Sequence, residues 1–223
     1  MARKKLKRFS ELETMPNVLD RDEASLGGAW VEAHLGVRRP LALELCCGKG
    51  EYTLALARRR PDWHVIGIDR RGDRLWKGAR QALAEGLGNV LFLRAEIRDV
   101  GLYFAPEQVH QIWLPFPDPM PKRRHAKHRV FSRPYLEIYR RLLSPGGSLH
   151  LKSDDPGLAA EFQEAVQSLG GHFLAWIEDV HAADLDGLPD ADLVRVVTTF
   201  ERRHLAAGKT IFYAAVEFPE EAP

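Results

Sequence analysis

The chain is predicted to fold as an α/β protein built on a doubly wound, mostly parallel, seven-stranded sheet, and three features carry that reading. From about residue 41 onward, short apolar runs alternate with amphipathic stretches, the pattern of repeated βα units. Glycine and proline punctuate the joins between them. Finally, Glu44, Asp69, Glu96, Asp118 and Asp154 all fall at or just past the ends of apolar runs, where open parallel sheets place their ligands.

Taken in order, Arg3-Lys4-Lys5-Leu6-Lys7-Arg8-Phe9 is basic, and the segment to about Asp22 shows no sustained period. It reads as an arm, either disordered or folded over a ligand. Ala29 to Leu35 is a short helix ending at Gly36. Leu41 to Leu45 is the first strand, Cys46 to Gly50 a tight loop, and Glu51 to Arg60 an amphipathic helix stopped by Pro61. His64 to Ile68 is the second strand, with Asp69 at its end, and Arg74 to Glu85 the next helix, closed by Gly86 and Gly88. Val90 to Leu93 and Val109 to Leu114 are strands three and four. Ser132 is placed to cap a helix reaching about Leu143, with Pro134 tolerated in its first turn. Ser144-Pro145-Gly146-Gly147 reads as a turn before a strand at Ser148 to Lys152, and Leu158 to Leu169 as a helix. Phe173 to about Asp179 is a strand, and His181 to Leu193 lacks a period and reads as a loop. A helix over Thr198 to Ala207 and a strand over Thr210 to Val216 complete the pattern. No repeat or linker divides the chain, so a basic arm and lead-in helix over 1–40 and one domain over 41–223 are expected.

Composition narrows the class. With 223 residues, 45% hydrophobic and 28% charged, the chain can fill one ordinary globular core. Lys plus Arg (32) nearly balances Asp plus Glu (31), so a nucleic-acid footprint must come from local clusters. Two exist, Arg3 to Arg8 and Lys122 to Arg133. Cys46 and Cys47 are adjacent, which suits neither a structural disulfide nor a zinc site. No apolar run reaches the ~18 residues of a membrane span, and the basic amino end lacks the apolar segment of a signal peptide. A cytoplasmic enzyme with no membrane partner is the expected class.

The most informative stretch runs from Gln111 to Arg133. An apolar strand end, Ile112-Trp113-Leu114, leads into Pro115, Pro117, Pro119 and Pro121, which frame one carboxylate, Asp118. Proline fixes φ and restricts its predecessor, so this turn is stiff. The cations Lys122, Arg123, Arg124, Lys127, Arg129 and Arg133 follow. A rigid acid beside a basic segment suits a reaction centre next to a phosphate-binding surface; a charged, solvated surface loop has the same composition. The loop after strand one supplies Gly48 and Gly50, with Thr53 where a third glycine would complete a pyrophosphate fingerprint, and Asp69 follows at the spacing of a ribose-binding acid. A nicotinamide enzyme fits that description too. Glu44 would repel a diphosphate and suits a ligand bearing an ammonium and a sulfonium, which favours S-adenosyl-L-methionine; a salt-bridged strand-end acid is the plain alternative.

Here the chain resembles the bacterial tRNA (guanine-N7-)-methyltransferases. The motif E-I-G-F-G-x-G is similar to Glu44-Leu45-Cys46-Cys47-Gly48-Lys49-Gly50, and F-P-D-P-W-x-K-x-R-H-x-K-R-R to Phe116 through Arg129. A T-D pair corresponds to Ser153-Asp154 and T-x-[YF]-E to Thr198-Thr199-Phe200-Glu201. Cys46 stands in place of a glycine, Met120 of a tryptophan and Ser153 of a threonine. The resemblance implies a class I methyltransferase that uses S-adenosyl-L-methionine on N7 of the variable-loop guanine of tRNA, position 46 in the family. It implies that Glu44, Gly48, Gly50, Asp69, Glu96 and Asp118 bind the cofactor and that Asp118 is catalytic. It also implies that Lys122, Asp154, Thr198, Thr199, Phe200 and Glu201 bind substrate. No obligatory protein partner is expected, and either a monomer or a homodimer is compatible.

Guanine N7 carries an in-plane lone pair and no hydrogen, so its methylation needs no general base. Asp118 is therefore expected to favour the positive charge growing on the purine. Asp154 or Glu201 would accept from the guanine N1–H and N2–H₂, although Glu201 could instead pair with Arg202, Arg203 or Lys209. Arg123, Arg124, Lys127 and Arg129 are expected on RNA phosphates. His125 and His128 lack a second ligand pair, so no metal is expected. Trp113, Trp76, Trp63 and Trp176 are expected in the core, with Trp30 undecided. A methyltransferase acting on another RNA or a protein, and a non-catalytic RNA-binding module, are the competing readings.

Overall fold

The computed structural model describes residues 8–24, 27–120, 122 and 127–219. Its strands are β1 (Val18–Asp20), β2 (Leu41–Leu45), β3 (His64–Ile68), β4 (Val90–Arg94), β5 (Val109–Pro115), β6 (Leu143–Ser153), β7 (His172–Ile177) and β8 (Phe212–Glu217). They form one sheet in the order β1-β4-β3-β2-β5-β6-β8-β7. The six strands from β1 to β6 pair in parallel, and β8 lies antiparallel between β6 and β7.

Buried parallel strands need apolar side chains on both faces, and the sequences LALEL, HVIGI and VLFLR supply them. Alternation along each strand divides the core in two. On one face Leu43, Ile66, Leu91, Leu93, Ile112 and Leu149 pack with helices α1 (Ala29–Leu35), α5 (Arg133–Leu142) and α6 (Pro156–Gln167). On the other, Val65, Val90, Phe92, Trp113 and Tyr213 pack with α2 (Glu51–Arg59) and α3 (Gly72–Ala84). Short helices α4 (Val100–Tyr103) and α7 (Ala191–Val194) and the helix α8 (Thr199–Ala206) follow, and residues 8–12, in the segment read as an arm, are helical as well.

Several sequence expectations are amended. The sheet has an eighth strand: β1, in the segment without periodicity, pairs Val18 with Phe92 at the edge. Three residues are too few to show a period. Ser144 to Gly147, expected as a turn, lies inside β6, whose pairing with β5 shifts register between Val109 and Gln111. The glycines are absorbed by an irregularity within the strand rather than ending it. Ser132 occupies the N-cap of α5, but its hydroxyl donates to Lys127 O at 3.3 Å instead of capping. Of the tryptophans expected in the core, Trp113 is buried, Trp63 and Trp76 are half-buried and Trp176 is exposed on β7. Trp76 lies under the Arg8 and Arg80 guanidinium groups, at 4.8 and 5.2 Å from its ring centre. Trp30 is buried and donates to Tyr103 O at 2.8 Å.

Candidate functional site

Chain order reverses across the sheet between β2 and β5, so their carboxyl ends open the crevice where doubly wound sheets bind ligands. A cleft of about 340 Å³ lies there. One wall is Glu44, Cys46, Cys47, Gly48 and Tyr52 from β2 and the start of α2; the other is Pro115, Phe116, Thr198, Thr199 and Phe200. Arg74 and Arg203 line it as well.

The first wall is fixed by two acids. Glu44 is 3% exposed and accepts from the Thr53 N–H at 2.6 Å and from the Thr53 hydroxyl, so it caps α2 from outside the helix. Burial pushes its pKa up to about 8 against the lowering effect of those hydrogen bonds, with Asp69 and Glu51 adding to the rise. Asp69 accepts from Gly48 N–H at 2.9 Å through one oxygen and from Arg71 N–H at 2.8 Å through the other. Gly50 cannot be replaced without disturbing this loop: a Cβ there would meet Phe92 Cε1 at 2.6 Å, and φ is +70°. Cys46 takes φ +60° in the same loop, where the sequence departs from glycine. Burial pushes the Cys46 thiol up to about 12, and the charges of Asp69, Glu44 and Asp118 all push the same way.

The second wall turns on Lys152, which is 1% exposed. Its Nζ donates to both carboxylate oxygens of Glu201 at 2.8 Å and to Val194 O and Val196 O at 3.0 Å. Burial lowers the Lys152 pKa, and the Glu201 charge acts in the opposite direction. The Lys152 carbonyl accepts from Phe116 N–H at 2.8 Å, so one residue joins the proline loop to α8. Thr198 caps α8 by accepting from Glu201 N–H at 3.1 Å, and Thr199 N–H donates to Glu51 at 2.5 Å, tying α8 to α2.

The expected site residues therefore separate into groups. Glu44, Gly48, Thr198, Thr199 and Phe200 share the cleft. Asp69 sits behind the glycine loop, and Glu96 lies 3.8 Å from Arg70. Asp118, expected in the cleft, is exposed and does not line it; its carboxylate accepts from Met120 N–H at 3.0 Å. Glu201 has 0% exposure, and its oxygens are held by Lys152 and by His181, 2.9 Å away, so it does not present an acceptor to a base. Its partner is not one of the three cations considered from the sequence. Asp154 is engaged by Lys209 and lies 2.8 Å from His204 Nδ1. Arg129, expected on phosphate, is buried: it donates to Met120 O at 3.2 and 3.1 Å and pairs with Glu161 of α6. It clamps the loop that carries Asp118. Lys122 and Lys127 are exposed, while Arg123, Arg124 and His125 lie outside the described residues. Among the described residues no cluster could hold a metal ion.

Lys152 was missed as a site-building residue. A charge inside the apolar strand S-L-H-L-K-S was its signal, because a cation there requires a buried partner. Arg74 and Arg203 gave none, since each reads as a solvated helix position.

A doubly wound sheet with an acid-lined cleft at its switch point is the class I methyltransferase arrangement. The S-adenosylmethionine-dependent methyltransferase of Aquifex aeolicus has the same fold, with a TM-score of 0.56 and 13% identity, over 96% of this chain and 98% of that one. The 16S rRNA methyltransferase KamB has it too, with a TM-score of 0.63 and 15% identity, over 86% and 95%. The family model described as "Putative methyltransferase" matches residues 38–214. A tRNA (guanine-N(7)-)-methyltransferase of Christiangramia forsetii is 36% identical over 95% of this chain and 96% of its own length. One of Bacteroides thetaiotaomicron is 34% identical over 99% and 88%. The chain belongs to the tRNA (guanine-N7-)-methyltransferase family.

Proposed function

We propose that this protein transfers the methyl group of S-adenosyl-L-methionine to N7 of a guanine in tRNA, the variable-loop guanine at position 46. The observation that carries the reading is the buried Glu44 carboxylate in the switch-point cleft, whose lining includes Pro115 and Phe116 of the proline loop. The relatives' names support the substrate. Among the described residues no helix is long and apolar enough to cross a membrane, and the cytoplasm, where tRNA is modified, is the proposed place of work. The test is incubation with unmodified tRNA and labelled methyl donor, followed by nucleoside analysis. Label in 7-methylguanosine is the expected result; label in another nucleoside, in protein, or nowhere overturns the reading.

The residues present fit this cofactor. The cleft volume lies within the ~300–1,000 Å³ of small-molecule sites, and the acids around Cys46 make a field suited to a cation. When bound, S-adenosyl-L-methionine supplies an electrophilic methyl group on a sulfonium. Glu44 and the Gly48 and Gly50 backbone would hold it, with Asp69 and Glu96 toward its sugar hydroxyls and Asp118 toward its charged end. Thr198 and Thr199 would position the substrate, with Lys122 and Lys127 on the RNA backbone.

A cation bound beside Glu44 requires the ionised form, whereas the free protein keeps this group protonated below about pH 8. Donor affinity is expected to rise by about tenfold per pH unit from pH 6 and to level off near pH 8, with about one proton released. Calorimetry in buffers of different ionisation enthalpy measures this, and Glu44→Gln should abolish the slope. The free protein shows the opposite trend. Because the folded value is raised, the Glu44 contribution to stability is complete below the ordinary value of 4.5 and is lost as pH rises through about 8.

The two neighbouring cations should separate by salt. Lys127→Ala is expected to flatten the slope of log K against log salt for tRNA binding by about one unit. Arg129→Ala should leave that slope unchanged and lower turnover, because its donors hold Met120 O rather than a phosphate. Filter binding over a salt series decides it, and equal slopes for both variants would count against the assignment.

A further inference from the structure

The cations that line the switch-point cleft are Lys49, Arg74 and Arg203, and all three are exposed. Arginines nearby are matched: Arg58 pairs with Glu85 at 2.7 Å, and Arg60 with Asp190 and Asp192 at 2.8 and 2.9 Å. The side chains of Lys49, Arg74 and Arg203, in contrast, have no ion-pair or hydrogen-bond partner among the described residues. A lone surface arginine needs only water. Three like charges brought to one cleft from three separate elements repel one another, and together they attract an anion. Packing imposes the convergence. A Cβ on Gly78 would meet Lys49 O at 2.8 Å, so α3 lies directly against the glycine loop. Arg74 stands one turn before Gly78 on the same helix face, which brings it beside that loop. Thr199 N–H donates to Glu51 at the start of α2, and Arg203 lies one turn further along that face of α8.

We propose that Lys49, Arg74 and Arg203 form a phosphate-binding rim that grips the tRNA backbone on the α2–α3 face of the sheet. The inference rests on the tRNA reading above and adds a second track to the cations of the proline loop. Those lead into α5, and Arg129 among them pairs with α6, on the opposite face. The RNA backbone then crosses the carboxyl edge of the sheet and is held on both sides of the cleft. A nucleotide turned out of its stack between two such grips keeps its neighbours in place. The methyl donor carries an anionic group of its own, a carboxylate. Its ammonium and sulfonium outnumber that group, so its net charge is positive and three unpaired cations oppose it. Depth separates the two ligands as well: Glu44 is 3% exposed, whereas the cations stand in solvent. The cleft is sorted by charge, with a buried acid for a cationic cofactor and an exposed basic rim for a polyanion.

The test measures tRNA binding over a salt series with wild type, Arg74→Gln, Arg203→Gln and the double variant. Each single substitution is expected to flatten the slope of log K against log salt by about 0.7–0.9 units, one phosphate contact, and the double variant by the sum. Arg74→Lys keeps a point charge and should retain the wild-type slope, which a role in packing alone would not predict. Arg58→Gln, in the last turn of α2, should leave the slope unchanged. Thermal midpoints of Arg74→Gln and Arg203→Gln should match wild type, since both side chains are exposed and unpaired. Donor affinity by calorimetry, without tRNA, should not fall in either. Wild-type slopes in both glutamine variants would overturn the rim. Weakened donor binding with unaltered tRNA binding would overturn it too, and would assign the cations to the donor's carboxylate. Absence of methyl transfer to tRNA by wild type would instead overturn the functional reading on which the proposal rests.

Discussion

Glu201→Ala is expected to remove about 3–5 kcal/mol of folding stability, the typical cost of leaving one member of a buried ion pair without its partner. Lys152 and Glu201 are 1% and 0% exposed, and the ammonium has four oxygen partners, two of them from Glu201. Alanine leaves that charge among apolar neighbours with two carbonyls, and the lysine escapes the penalty by giving up its proton. Its folded pKa is already depressed by burial and would fall further. Between a depressed folded value and the ordinary 10.5, the unfolded chain binds more protons, so the variant should regain stability as pH rises through that window. Urea unfolding at several pH values measures both effects. The double variant Lys152→Met/Glu201→Leu, with similar apolar volume, should recover most of the loss, because a well-packed apolar pair often matches a buried ionic one. A Glu201→Ala midpoint equal to that of wild type would show that the pair carries no such energy.

The same pair shows where sequence reading reaches its limit. The repeated βα units were legible because buried parallel strands demand continuous apolar runs, and L-A-L-E-L, H-V-I-G-I and V-L-F-L-R have few other uses. The position of the cleft was legible for a related reason, since parallel strands bring their carboxyl ends to one edge of the sheet, although of the five strand-end acids only Glu44 lines it. Side-chain roles within the cleft were less so. Arg129 and Lys127 look alike in a basic run, yet one is buried under the proline loop and the other is exposed. Nothing in a run of cations says which will find Glu161, 32 residues away in another helix. Glu201 likewise follows a capping threonine in a polar helix, and only the juxtaposition of β6 and α8 reveals that it meets Lys152. Long-range pairing depends on topology, and topology is carried by the whole pattern rather than by the residues that pair.

Asp118→Asn is expected to lower the methylation rate by about 10²–10³-fold while leaving tRNA affinity unchanged. The substitution isolates charge from geometry. Asp118 accepts from Met120 N–H, and an asparagine carbonyl accepts the same hydrogen bond, so the turn with Met120 at φ +42° can persist. Arg129 holds that turn from the other side through Met120 O. What asparagine lacks is the negative charge whose influence reaches Cys46 on the cleft wall. Methylation of N7 makes the purine cationic, so a fixed carboxylate beside it is expected to lower the barrier without moving a proton. Asp118→Ala loses the turn as well as the charge and should be slower than Asp118→Asn. Single-turnover rates at saturating tRNA separate the two contributions. Full turnover by Asp118→Asn would remove the carboxylate from the mechanism and leave alignment within the cleft as the source of the acceleration.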